Sequence, residues 1–268
     1  MTTSNPIFLK LGGSLITDKT QVSTPRPDIL ARLATEIADF RSSMPNSRLI
    51  LGHGSGSFGH IPAKKYGTRD GVRTPEEWRG FAEVWRQATA LTRLVIDALH
   101  AAGVPAIAFP PSGAATTNGG RITNWEPTPL RAALEAGLLP VVHGDVTFDA
   151  VRGGTIVSTE DVFSYLAGVF QPGRILIAGI EEGVWADYPA CTRLIPEITP
   201  ANINAIAGSL GGSAATDVTG GMAGKVRGML ALAAQTSGLG ISIFSGTPAG
   251  HVRSALLGAQ IGTLIRGH

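Results

Sequence analysis

The sequence predicts an α/β protein built on an open, mainly parallel sheet sandwiched between helices, and three observations carry that reading. Short apolar runs alternate with stretches of helical spacing along the 268 residues. Several of the runs stop at glycines, where the strands of a parallel sheet would give way to ligand-binding loops. The composition, 43% hydrophobic and 16% charged with 35 glycines, is that of a globular chain with many tight loops rather than a disordered one.

In chain order, residues 6–11 read as an apolar strand ending in Gly12-Gly13-Ser14. Residues 27–40 have helical spacing, and 49–51 return to strand. The longest helical stretch is 75–102, where Trp78, Phe81, Trp85, Ala88 and Thr92 recur at three- or four-residue steps. Strands follow at 104–109 and 139–142, the first stopping at Pro110-Pro111 and the second at Gly144-Asp145. The second half repeats the pattern, with strands at 175–178 and 241–245, a loop at 209–221 and a helix at 223–237. No low-complexity linker or internal repeat interrupts the chain, so residues 1–268 read as one domain with a soft lobe boundary near 171–174.

The same composition narrows the function. A net charge of +2, with Lys and Arg scattered, gives no basic stripe for nucleic acid. The single cysteine, Cys191, excludes an internal disulfide and reads as a core filler or ordinary surface thiol. The start, MTTSNPIFLKLGG, lacks a basic segment followed by an apolar one, and no apolar run reaches the roughly 18 residues that span a bilayer. The expected location is the cytoplasm, away from membranes.

Chemistry concentrates in three segments. Residues 52–60, GHGSGSFGH, read as a bare loop ending in His60. Within it, residues 54–59 fit the G-x-G-x-x-G dinucleotide fingerprint, but that motif needs a helix directly afterwards, and helical spacing resumes only near 75. At 10–14, Lys10 stands beside Gly12, Gly13 and Ser14, so bare N–H groups and a point charge meet where polyphosphate could bind. Residues 217–225, DVTGGMAGK, contain a Gly-Lys pair without the first glycine of a Walker A loop, and Val226 replaces its Ser or Thr. Spacing alone leaves this segment either a phosphate site or a loop capping a helix with Lys225 solvated.

Taken together, KLGGSLITDK at 10–19, GSGSFGH at 54–60, HGDV at 143–146 and DVTGGMAGK at 217–225 resemble the isopentenyl phosphate kinases of the amino acid kinase superfamily. The resemblance runs from Ile7 to the C-terminus and implies the amino acid kinase fold, with an N-terminal acceptor lobe and a C-terminal nucleotide lobe. It implies ATP and Mg2+ as cofactors, a homodimer, and phosphorylation of isopentenyl phosphate to the diphosphate for isoprenoid biosynthesis. His60, Lys10 and Lys225 would be catalytic, with the two lysines flanking the transferring phosphoryl group. Lys19 would reach the γ-phosphate, Gly12, Gly13, Ser14, Gly56 and Gly221 would contact ATP, and Ser55, Gly59, His60 and Thr159 would bind the acceptor.

Since the attacking phosphate is already an anion, His60 is expected to donate a hydrogen bond rather than to act as a strong base. The other histidines, His53, His100, His143, His251 and His268, have no metal-ligand spacing and read as structural, so no protein metal site is expected. The chain departs from the family pattern at Ser55, where a second glycine is usual, and at Ile180, near the expected adenosine site. It also reads Ser158-Thr159-Glu160-Asp161, which leaves the lysine-orienting carboxylate open between Glu160 and Asp161. The acceptor tail needs an apolar slot, for which Trp78, Phe81 and Trp85 are candidates. Two alternatives stand: a kinase of the same fold acting on a small phosphonate such as fosfomycin, and a nucleotide-binding sensor without transfer. A mere binder has little need of Lys10, Lys19, His60 and Lys225 together.

Overall fold

The protein is described by a computed structural model covering residues 5–206 and 221–268. Its centre is an 8-stranded sheet in the order Glu197–Ile198, Thr263–Arg266, Gly240–Ser245, Arg174–Gly179, Ile7–Leu11, Leu49–His53, Leu139–His143 and Ala106–Ala108. All pairings are parallel except that of Gly240–Ser245 with Thr263–Arg266. Helices cover both faces, so Ile7–Leu11, Leu49–His53 and Leu139–His143 are buried at every position. Side-chain alternation splits the strands between two cores. Phe8 and Ile50 join Phe163 and Leu166 on one face, whereas Leu9 and Leu51 join Leu33, Ile37, Phe40 and Leu91 on the other.

The expected strands and helices are present with ends displaced by a few residues: Pro27–Ser43, Pro75–Ala101 and Gly221–Gln235 are the corresponding helices. The long helix opens on a capping box, in which Thr74 Oγ1 accepts from Glu77 N and Glu77 accepts from Thr74 N. Residues 171–173 connect the Thr159–Phe170 helix to the Arg174–Gly179 strand. Since that strand pairs with Ile7–Leu11, the sheet runs unbroken past the expected lobe boundary. Of the expected loop at 209–221, only Gly221 lies within the described residues, and it opens a helix.

Two features differ from the sequence reading. The segment after Ser55 is not a loop: Gly56–Tyr66 is a helix with Pro62 inside it, and His60 lies on its second turn. Glycine-rich composition and an interior proline both argue against a helix by propensity, and packing against the long helix overrides them. The helix that the dinucleotide fingerprint demands is therefore present. Second, a separate 4-stranded sheet in the order Gly153–Val157, Asp145–Asp149, Ala115–Asn118 and Arg121–Trp125 lies beyond the parallel strands. Its short strands lack a continuous apolar run. Asp149 holds its turns by accepting from the amides of Gly119, Gly120, Val151 and Arg152. Among the described residues, no helix is long and apolar enough to cross a membrane.

Beneath the strand ends, His53 and His143 stack with ring centroids 5.2 Å apart. His53 is fully buried, its Nε2 lies 3.0 Å from Thr92 Oγ1, and burial together with His143 lowers its pKa to about 3. The folded protein thus holds this imidazole neutral, whereas the unfolded chain protonates it below about pH 6.5. The protein should lose stability as pH falls from about 6.5 toward 3, at up to ~1.4 kcal/mol per pH unit from this residue. Urea midpoints measured between pH 7 and 5 should fall less steeply for His53→Gln than for the wild type, and an identical slope would refute the assignment.

Candidate active site

The site forms where the parallel strands end. Gly12 N donates to Ala178 O at 2.7 Å and Gly54 N donates to Leu11 O at 2.9 Å, which brings the first two strand-end loops together. Only glycine permits the contact. A Cβ on Gly13 would lie 2.3 Å from Gly56 N, and one on Gly56, at φ +51, would lie 2.1 Å from Thr17 Oγ1. Thr17 latches the pair, its hydroxyl donating to Gly13 O at 2.7 Å and accepting from Ser57 N at 3.0 Å. Gly59 is likewise required, since its Cβ would meet the Ser55 side chain at 2.6 Å.

Two helices of the site begin here, Gly56–Tyr66 and Thr159–Phe170, and point the positive ends of their dipoles at the cavity. The second carries the carboxylate left open by the sequence. Asp161 is spent on the N-cap, accepting from Ser158 N at 2.8 Å and Ser158 Oγ at 2.7 Å while its own N–H donates back to Ser158 Oγ. Glu160 instead faces the cavity and stands between the lysines, 2.5 Å from Lys10 Nζ and 4.0 Å from Lys225 Nζ. Burial acts to raise its pKa, but the charges of Lys10 and Lys225 outweigh it and hold the carboxyl below its ordinary value.

One cavity is lined by Lys10, Gly12, Gly13, Ser14 and Lys19 from the first loop and by Ser55, Gly56, Gly59 and His60 from the second. Thr159, Glu160 and Lys225 complete the set of expected residues found there. Three expected residues or groups have a setting that the sequence did not indicate. Gly221 starts the helix that carries Lys225 and is not among the described residues found lining the cavity. The rest of the DVTG segment, residues 217–220, lies outside the described residues. Thr159 does line it, but its hydroxyl is used internally, donating to His53 O at 2.6 Å and accepting from Gly144 N at 3.1 Å.

The aromatic tail slot is the third. Phe81 is buried behind the cavity against Trp78 and Phe148, and Trp85 is 44% exposed, so neither lines it. The apolar lining comes from Ala63, Val84, Ala88 and Ile156. The buried stripe of the long helix runs through Phe81, Val84, Ala88, Leu91 and Val95, whereas the stripe read from the sequence followed the large rings. Small residues at 84 and 88 carry the signal: they leave room where a bulky residue would fill it. Arg69, Asp145 and Ser158 also line the cavity and were missed.

The profile of the amino acid kinase family matches residues 5–245. The isopentenyl phosphate kinase of Methanothermobacter thermautotrophicus is 35% identical, covering 97% of this chain and 99% of its own. That of Haloferax volcanii is 36% identical, covering 97% of this chain and 98% of its own. The chain belongs to the isopentenyl phosphate kinase group of the amino acid kinase family. Solved members superpose along nearly the whole chain: one reaches a TM-score of 0.81 at 30% identity over 97% of this chain and 99% of that one. A product complex of the Thermoplasma acidophilum isopentenyl phosphate kinase gives 0.73 at 25% identity, covering 97% of this chain and 100% of its own.

In this amino acid kinase the glycines let the two loops close on each other, because a side chain at Gly13 would strike the backbone of Gly56 and one at Gly56 would strike Thr17. Replacing Glu160 with Gln removes the charge that sits between the lysines and leaves two ammonium groups facing each other. Glu160→Gln should cost on the order of 3 kcal/mol of stability, read from urea unfolding at pH 7. The low carboxyl makes the wild-type contribution complete above about pH 4.5 and lost as pH falls through the folded value. The gap between wild type and variant should therefore close at low pH, and a gap independent of pH would contradict this account.

Proposed function

We propose that the protein transfers the γ-phosphoryl group of ATP to isopentenyl phosphate, giving isopentenyl diphosphate and ADP. The observation that carries this reading is the convergence of Lys10 and Lys225 on Glu160, in the cavity that also holds His60 and the glycine cradle. An oxygen of the acceptor monophosphate forms a bond to the γ-phosphorus while the bond to the bridging oxygen breaks and ADP departs. The nucleophile is already anionic, so the protein has mainly to position two phosphates and offset their charge. Lys10 and Lys225 supply that charge and Glu160 fixes where they stand. His60, on the helix that follows the second loop, donates to the acceptor phosphate.

Magnesium is expected to arrive with the nucleotide and to offset charge on its phosphates. Among the described residues no cluster of three or more His, Cys, Asp or Glu could hold a metal, and magnesium commonly binds phosphates and water with little help from protein. The apolar surface of Ala63, Val84, Ala88 and Ile156 in the same cavity supports an alkenyl tail over a small phosphonate.

With magnesium ATP and a panel of isopentenyl phosphate, dimethylallyl phosphate, longer prenyl phosphates and fosfomycin, kcat/KM should be highest for a five-carbon alkenyl phosphate. No turnover of any alkenyl phosphate would sink the proposal. Lys10→Ala and Lys225→Ala should each lower kcat by about 100-fold or more, the size of one lost electrostatic donor; an unchanged kcat with a raised KM for ATP would count against their role.

His60→Gln, which keeps an N–H donor, should retain much more activity than His60→Ala. Equal loss in both variants, with a wild-type rate that follows one group near pH 6.5, would make His60 a base instead. In the tail slot, Ala88→Leu should depress turnover of longer prenyl phosphates, at roughly 1 to 3 kcal/mol per methylene displaced, while Trp85→Ala leaves the chain-length profile unchanged. A changed profile in Trp85→Ala would return that ring to the pocket.

A further inference from the structure

The cavity contains a guanidinium to which the chemistry above gives no task. Arg69 lies three residues beyond the end of the Gly56–Tyr66 helix, the helix that carries His60. Its backbone is fixed, since Arg69 O accepts from Thr155 Oγ1 at 2.8 Å and from Arg152 Nη1 at 3.0 Å. Its side chain reaches the start of the Thr159–Phe170 helix and lines the cavity together with His60 and Ser158.

There it finds no adequate partner. Nη1 is buried and makes no hydrogen bond. Nη2 lies 3.9 Å from Asp161 Oδ2, beyond hydrogen-bonding distance, and that oxygen already accepts from Ser158 N and Oγ. Asp145, the other carboxylate lining the cavity besides Glu160, accepts from Ser112 N and Val146 N. A buried donor left unpaired is costly, and native structures retain few of them without a reason. A guanidinium offers a planar fork that matches two oxygens of one phosphate.

We propose that Arg69 is a second anchor of the acceptor phosphate, its guanidinium donating to the phosphate oxygens alongside His60. The inference rests on the function proposed above. The acceptor is favoured over ATP by position: Arg69 follows the C-terminal end of the helix of His60 and is pinned to the small sheet at Thr155, whereas Lys10, Gly12 and Gly13 stand at the end of the Ile7–Leu11 strand.

The test compares wild type with Arg69→Gln and Arg69→Lys by steady-state kinetics and by thermal unfolding with and without ligands. Arg69→Gln should raise KM for isopentenyl phosphate by roughly 10- to 100-fold, the range for a lost hydrogen bond to a charged group, with KM for ATP unchanged. Arg69→Lys should fall between the two. Without ATP, millimolar inorganic phosphate or isopentenyl phosphate should raise Tm in the wild type and not in Arg69→Gln, while ATP alone still raises Tm in both.

An unchanged acceptor KM, or a phosphate-induced shift that survives in Arg69→Gln, would overturn the inference, as would equal increases in both KM values. If wild type turns over no alkenyl phosphate, the proposed function falls by itself and the phosphate-induced Tm shift still decides the anion contact. If Arg69→Gln fails to fold, Arg69→Lys read by the same two measurements decides it: a KM for the acceptor equal to wild type would overturn it.

Discussion

The site depends on one close approach, that of the backbone at Gly13 to the backbone at Gly56. Two strand-end loops touch with no side chain between them, and the Thr17 hydroxyl holds them so. That contact fixes the start of the Gly56–Tyr66 helix, and through it the places of Gly59 and His60. Gly12, Gly13, Ser55 and Gly56, which flank the contact, all line the cavity. The rest of the charge arrangement is built around this neutral floor: Lys10 from the strand below it, Lys225 from a helix near the C-terminus, and Glu160 between them.

Glu160 and Asp161 show how neighbouring carboxylates acquire separate tasks from the backbone alone. At a helix start, the third residue can fold back on the N-cap, and Asp161 does so with Ser158. The preceding residue then projects elsewhere, and here it meets the lysines. A capping box in the sequence, Ser-x-x-Asp, therefore contains the information needed to choose between the two. The pair was ambiguous only while it was compared with a family pattern instead of being read as the opening of a helix.

Much of the fold was legible because buried parallel strands are nearly continuous apolar runs, and the segments at 10–14 and 54–60 stood out because bare glycines follow strands there, whereas spacing alone left Lys225 undecided. The small sheet was not, since Ala115–Asn118 and its partners alternate over only a few residues and carry polar groups at their ends. The Gly56–Tyr66 helix was hidden by its own glycines, which serve loop contacts and ligand access at a cost in helix propensity. The lining of the apolar slot was missed for another reason: large aromatic residues attract attention, yet space is made by what is small, as at Ala63 and Ala88.

Lys10 occupies a rung of the central ladder, with Gly52 beside it on one neighbouring strand and Ile177 on the other. The strand that bears it thus joins the early and late parts of the chain in one hydrogen-bonded plank. Separating the two halves would mean breaking that plank at a strand buried along its whole length, among Phe8, Leu9 and Leu11. The place of the lysine is therefore set by ladder hydrogen bonds to both halves of the chain and not by either half alone.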